Sequence, residues 1–115
     1  QKEINIKVDN FESACELVKT LGCREKAYQV TKRELWGVDG VEVTIDEWPF
    51  LEPFVEVEGK SEEEVKAVSE KLGFDYSLAL FCAVGTLYAN KYGITEDVIN
   101  NQTAILDFDG ENPFD

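Results

Sequence analysis

The sequence predicts an α+β domain, an antiparallel sheet with helices packed outside it. Three observations carry that expectation. Residues 33–59 read as short strands joined by turns, and Asp39-Gly40 is a hairpin signal because glycine accepts the positive φ of a tight turn. Two stretches place apolar residues at helical spacing: Phe11, Ala14, Cys15, Leu17, Val18 and Leu21, then Val65, Val68 and Leu72. Each of them stops on a glycine, Gly22 and Gly73, where a helix commonly turns left-handed.

In chain order, residues 2–8 alternate, with Glu3, Asn5 and Lys7 on one side and Ile4, Ile6 and Val8 on the other, which predicts a strand. Asp9 or Asn10 then caps the first helix. The next strand is expected over residues 27–36, followed by the hairpin to 41–47. Residues 48–53, bracketed by Pro49 and Pro53, form a stiff aromatic loop, and 54–58 closes the unit as a strand. Trp36 and Trp48 read as packing residues at sheet ends. Ser61 and Glu64 make a capping box for the second helix. A third helix is expected over 76–92, ended by Gly93. A short turn capped by Thr95 follows, then a strand over 103–108 and a loose acidic tail over 108–115.

Length predicts one domain across residues 1–115, and a 43% hydrophobic content is enough for a core. The formal charge of −13 argues against nucleic acid and against an anionic membrane surface. It still permits a phosphorylated small molecule where a site concentrates its few bases or recruits a divalent cation. The three cysteines are odd in number and widely spaced, and histidine is absent, which removes the usual ligands of zinc and the usual groups of catalytic triads. Cys15 and Cys82 are expected as small core residues in a reducing, cytoplasmic setting. No stretch approaches the ~20 apolar residues of a membrane helix. The chain opens on Gln1 and contains no methionine, so a residue or a segment is expected ahead of it.

The chemistry-bearing residues lie on the strands. Arg33, Asp46, Glu56 and Glu58 alternate with apolar neighbours, and Glu56 and Glu58 share a face with β-carbons ~6.5–7 Å apart. Val41, Val43 and Ile45 oppose Glu42, Thr44 and Asp46. One face is therefore apolar and the other acidic with a base, either solvated or lining a site. Glu42 and Thr44 read as solvated strand positions. The pattern of strand, polar cap, helix and Leu-Gly occurs twice, over 2–22 and 54–73, as an internal echo.

The runs Lys32-Arg33-Glu34-Leu35-Trp36, Asp39-Gly40-Val41-Glu42-Val43-Thr44-Ile45-Asp46-Glu47-Trp48-Pro49 and Phe54-Val55-Glu56-Val57-Glu58-Gly59 resemble the second half of the CYTH superfamily. That group holds the class IV adenylate cyclases and the thiamine and inorganic triphosphatases, the triphosphate tunnel enzymes. The resemblance implies an antiparallel barrel of about eight strands binding a triphosphate with Mg or Mn; about five strands are counted here, half of such a barrel. It implies Arg33 as a phosphate contact, with Lys91 and Lys7 as weaker substrate-binding candidates. Asp46, Glu56 and Glu58 become metal-side acids, and Glu56 and Glu58 the catalytic pair.

Physical chemistry agrees with that assignment, because enclosed carboxylates need a counter-charge and a hard cation with oxygen ligands supplies one. The family's first-half signature, Glu-x-Glu-x-Lys, is only imitated by Glu3-x-Asn5-x-Lys7, and Thr31 stands where a lysine is sought. The basic cluster of that half has no counterpart. The expectation is therefore divalent-metal-dependent triphosphate processing, with the missing N-terminal half or a second copy completing the barrel. The alternative is a non-catalytic half-tunnel module that binds polyphosphate or a partner chain.

Overall fold

The hairpin at Asp39-Gly40 sets the architecture. In the computed structural model, which describes residues 2–115, Asp39 and Gly40 have φ of 52° and 79°, so both central turn residues are left-handed. That turn matches the natural twist of paired strands and joins β2 (Lys32–Val38) to β3 (Val41–Glu47). β4 (Phe54–Glu58) pairs antiparallel on the other side of β3, giving the order β2-β3-β4. α2 (Glu62–Lys71) follows, with Ser61 accepting from the Glu64 N–H at 3.3 Å and Glu64 reaching back to the Lys60 N–H at 3.1 Å. It covers one end of the apolar face, where Val41, Val43 and Val68 are buried together against Val38 and Val57.

A second core forms around the proline-bracketed loop. Tyr88 of α3 (Val84–Tyr92), Ile99 and Leu106 are buried together, with Trp48, Phe50 and Leu51 packed against them. The Tyr88 hydroxyl donates to the Pro49 carbonyl at 2.7 Å, and that of Tyr92 to the Phe50 carbonyl at 2.5 Å. Phe50 itself sits at φ 64°, a conformation rare outside glycine, held by those two anchors. Trp48 meets Tyr88 edge-on, as the reading of Trp48 as a packing residue anticipates, whereas Trp36 is 55% exposed.

Several expectations are corrected. Residues 2–8 form no strand; they are exposed and make no ladder. α1 (Phe11–Thr20) forms with Asn10 as its cap, yet it buries none of its residues. Alternation and helical spacing specify a face but not its partner, and here neither face meets one. The third helix is split: a single 3₁₀ turn at Tyr76–Leu78, nucleated by Asp75, gives way to extended Ala79, and α3 begins only at Val84. The terminal strand shrinks to β5 (Ile105–Leu106), paired in parallel with β1 (Tyr28–Gln29). The helical turn near Thr95 continues as a π-type turn over Val98–Gln102. Cys82 is exposed and Cys15 only half-buried, so neither is a core residue. The expected loose tail is tied down at Phe114, whose ring lies 5.3 Å from that of Tyr88 and 5.1 Å from that of Tyr92.

Helix, antiparallel sheet and mixed content agree with the predicted class. Among the described residues the strands form a three-stranded sheet and a two-stranded pair, and no closed barrel. The surface of 9191 Å² exceeds the roughly 6,300 Å² typical of a monomer of this mass. The radius of gyration of 16.7 Å likewise exceeds the ~13 Å of a compact chain of this length. Trp36, Ile45 and Val55, on the apolar face beyond the reach of α2, carry part of that excess.

Candidate functional site

Strand register assembles the site. Residues directly opposite one another point to the same side of a sheet. Arg33 pairs with Asp46, Thr44 with Glu56, and Glu42 with Glu58. One arginine therefore shares its face with four carboxylates: Glu42, Asp46, Glu56 and Glu58.

Asp46 is the centre of this face. Its residue is 1% exposed, yet its carboxylate is fully partnered. Arg33 Nε donates to Oδ1 at 2.6 Å, Arg33 Nη2 to Oδ2 at 3.0 Å, and the Thr44 hydroxyl to Oδ2 at 3.2 Å. The same Nη2 also donates to Glu56 Oε2 at 3.0 Å. Nε and Nη2 are thereby engaged, while Nη1 makes no hydrogen bond among the described residues. The Arg33 side chain is 53% exposed.

The two carboxyl groups are driven apart in proton affinity. Burial pushes Asp46 up, but hydrogen bonds from Arg33 and from Glu56 outweigh it and hold the group below its ordinary value. Glu56 moves the other way: burial, then its hydrogen bond to Asp46 and the charge of Asp46, raise it above the ordinary carboxylate range. The hydrogen bond to Asp46 also raises Arg33, which stays charged.

Lys91 is not brought to this face. It pairs with Glu52 at 2.8 Å and lies 5.5 Å from the Tyr92 ring, tying α3 to the proline-bracketed loop. Lys7 lies in the exposed N-terminal stretch and makes no ion pair with the sheet among the described residues. Thr44 was the residue least visible in sequence. It is 3% exposed rather than solvated, and only its position two residues before Asp46 on the same strand face hinted at contact. Glu56 and Glu58 also border a half-open groove of about 540 Å³ along β4, whose walls are otherwise largely apolar, including Val65, Tyr76 and Phe81.

The family model described as the CYTH domain matches residues 1–82. The chain belongs to the CYTH family. The match spans α1, β1 to β4 and α2, so it contains Arg33, Thr44, Asp46, Glu56 and Glu58, whereas Lys91 lies outside it. No curated protein and no solved structure matches the chain. CYTH domains form a triphosphate tunnel family whose members generally use divalent metals. Among the described residues, however, no three acidic, cysteine or histidine side chains stand together as a metal-holding group. Both oxygens of Asp46 are taken by Arg33, whose positive charge stands where a cation's would be needed. In this arrangement Asp46 does not fit as a ligand of a divalent ion.

No helix among the described residues is long and apolar enough to cross a membrane.

Proposed function

We propose that this CYTH domain supplies an arginine-and-acid wall of a triphosphate site, with Arg33 as its phosphate contact. The observation that carries the reading is the state of Arg33: clamped by a buried carboxylate, half exposed, with Nη1 making no hydrogen bond among the described residues. Planar guanidinium groups suit phosphate oxygens, and phosphoryl transfer depends chiefly on positioned charge. In a metal-dependent cyclase or triphosphatase acting on a nucleoside, thiamine or inorganic triphosphate, Glu56 and Glu58 are the acids we assign to catalysis. Further bases come from outside this wall, as an N-terminal half or a second copy, since Arg33 alone faces four carboxylates.

The test is calorimetry with tripolyphosphate, with and without Mg²⁺ or Mn²⁺, beside phosphate or pyrophosphate release from ATP, thiamine triphosphate and tripolyphosphate. Binding with turnover supports the enzyme. Binding without turnover supports the second reading, a polyphosphate-binding module, which the scarcity of bases on this face favours. Absence of both sinks the triphosphate reading.

A further inference from the structure

Asp46 was expected among the metal-side acids, and its surroundings argue for a different task. Both of its carboxylate oxygens are engaged within the sheet. Oδ1 receives Nε, and Oδ2 receives both Nη2 and the Thr44 hydroxyl. Two parallel bonds from one guanidinium fix its plane as well as its position, which a single bond does not. Thr44, buried on the same strand face, braces the carboxylate from the side away from Nε. The arginine has five N–H donors; Nε and Nη2 are spent on Asp46 and Glu56, and among the described residues the two on Nη1 are left. Arginine cannot release its partner by losing a proton, so the clamp holds at any ordinary pH.

We infer that Asp46 is a positioning residue for Arg33, not a metal ligand: with Thr44 behind it, it orients the guanidinium so that Nη1 faces the phosphate. This rests on the triphosphate reading above. It leaves Glu42, Glu56 and Glu58, all exposed, as the acids on this face that a cation can reach.

The test compares the wild-type chain with D46N and T44V by calorimetry with tripolyphosphate across a Mg²⁺ series, and follows the Arg33 Nε–H resonance by NMR. D46N is expected to weaken tripolyphosphate binding about tenfold or more, as loss of a charge-assisted pair does. T44V, close in shape, is expected to weaken it about fivefold at most. In both variants the Mg²⁺ concentration giving half-maximal binding stays at the wild-type value, and in D46N the Nε–H resonance moves toward that of a free guanidinium. A rise in the half-maximal Mg²⁺ concentration in D46N overturns the inference, because a metal ligand behaves that way. So does unchanged tripolyphosphate affinity in a folded D46N. If D46N does not fold, T44V and the wild-type resonance decide: unchanged affinity in T44V, or an Nε–H signal already that of a free guanidinium, overturns it. A wild-type chain that binds no tripolyphosphate at any Mg²⁺ concentration overturns the triphosphate reading itself, an outcome distinct from the others.

Discussion

Asp46 and Arg33 face each other across β3 and β2, and a buried carboxylate there holds a half-exposed guanidinium through bonds of 2.6 and 3.0 Å. The arginine keeps an acid ionised inside the sheet, and the acid keeps the arginine still. Removing either partner therefore has unequal consequences.

R33M leaves Asp46 buried with the Thr44 hydroxyl and Glu56 as its remaining neighbours. The expected loss is about 2–3 kcal/mol, the scale of hydrogen bonds to charged groups. D46N, which leaves the arginine free to reach water, is expected to cost less. Urea unfolding of both variants and of the double variant checks this; equal losses would show that burial of Asp46 matters little.

Glu56 gives a pH signature. Its folded value is raised above the ordinary 4.5, so the folded state holds its proton longer than the unfolded one. Stability contributed here is full below 4.5 and is lost as pH rises through the folded value. Asp46 has the opposite sign: its contribution is present above 3.8 and is lost as pH falls through its lowered folded value. In metal-free buffer, E56Q should therefore gain on the wild type between pH 5 and 8, clear of the isoelectric point near 4.3. With Glu56 about half exposed, the gain is a few tenths of a kcal/mol. A stability difference that does not change with pH contradicts the assignment.

The loop at 48–53 depends on two tyrosine hydroxyls. Y88F leaves the Pro49 carbonyl without its 2.7 Å donor in a buried setting. A loss of about 1–2 kcal/mol follows, which in a chain of this size lowers the melting temperature by roughly 4–16 °C. Calorimetric melting measures it directly. Y92F, whose hydroxyl is only part-buried, is expected to lose less.

The end of the chain offers a simple check. F114A removes a ring packed on Tyr88 and Tyr92, with an expected loss of about 1 kcal/mol. Thermal melting that leaves F114A equal to the wild type would restore the loose tail that composition suggests.

For turnover, E56Q and E58Q are each expected to lower metal-dependent phosphate or pyrophosphate release at least tenfold, while R33M acts mainly on substrate affinity. Steady-state kinetics separate kcat from KM. Undiminished kcat in both glutamine variants removes these acids from catalysis.

Much of the sheet was legible because its signals are local. Asp39-Gly40 accepts left-handed angles, Ser61 and Glu64 satisfy helix N–H groups, and alternation along β3 separates Val41 and Val43 from Thr44 and Asp46. The long helix at 76–92 failed because apolar spacing says nothing of the Asp75 side chain, which favours a short turn, or of extended Ala79. Residues 2–8 failed because a strand needs a neighbour, and alternation does not supply one.

The sequence by itself determined the two-faced sheet, the helix caps and the family, since each rests on residue identity at fixed spacing. Only tertiary structure decided which acid the arginine takes. Arg33 and Asp46 are 13 positions apart, and register alone sets them opposite one another. The same register puts Glu56 within reach of Nη2, whereas Lys91 goes to Glu52 in the second core. An ion pair is a relation in space, and a distance of 2.6 Å between side chains from two strands exists only once the hairpin has closed.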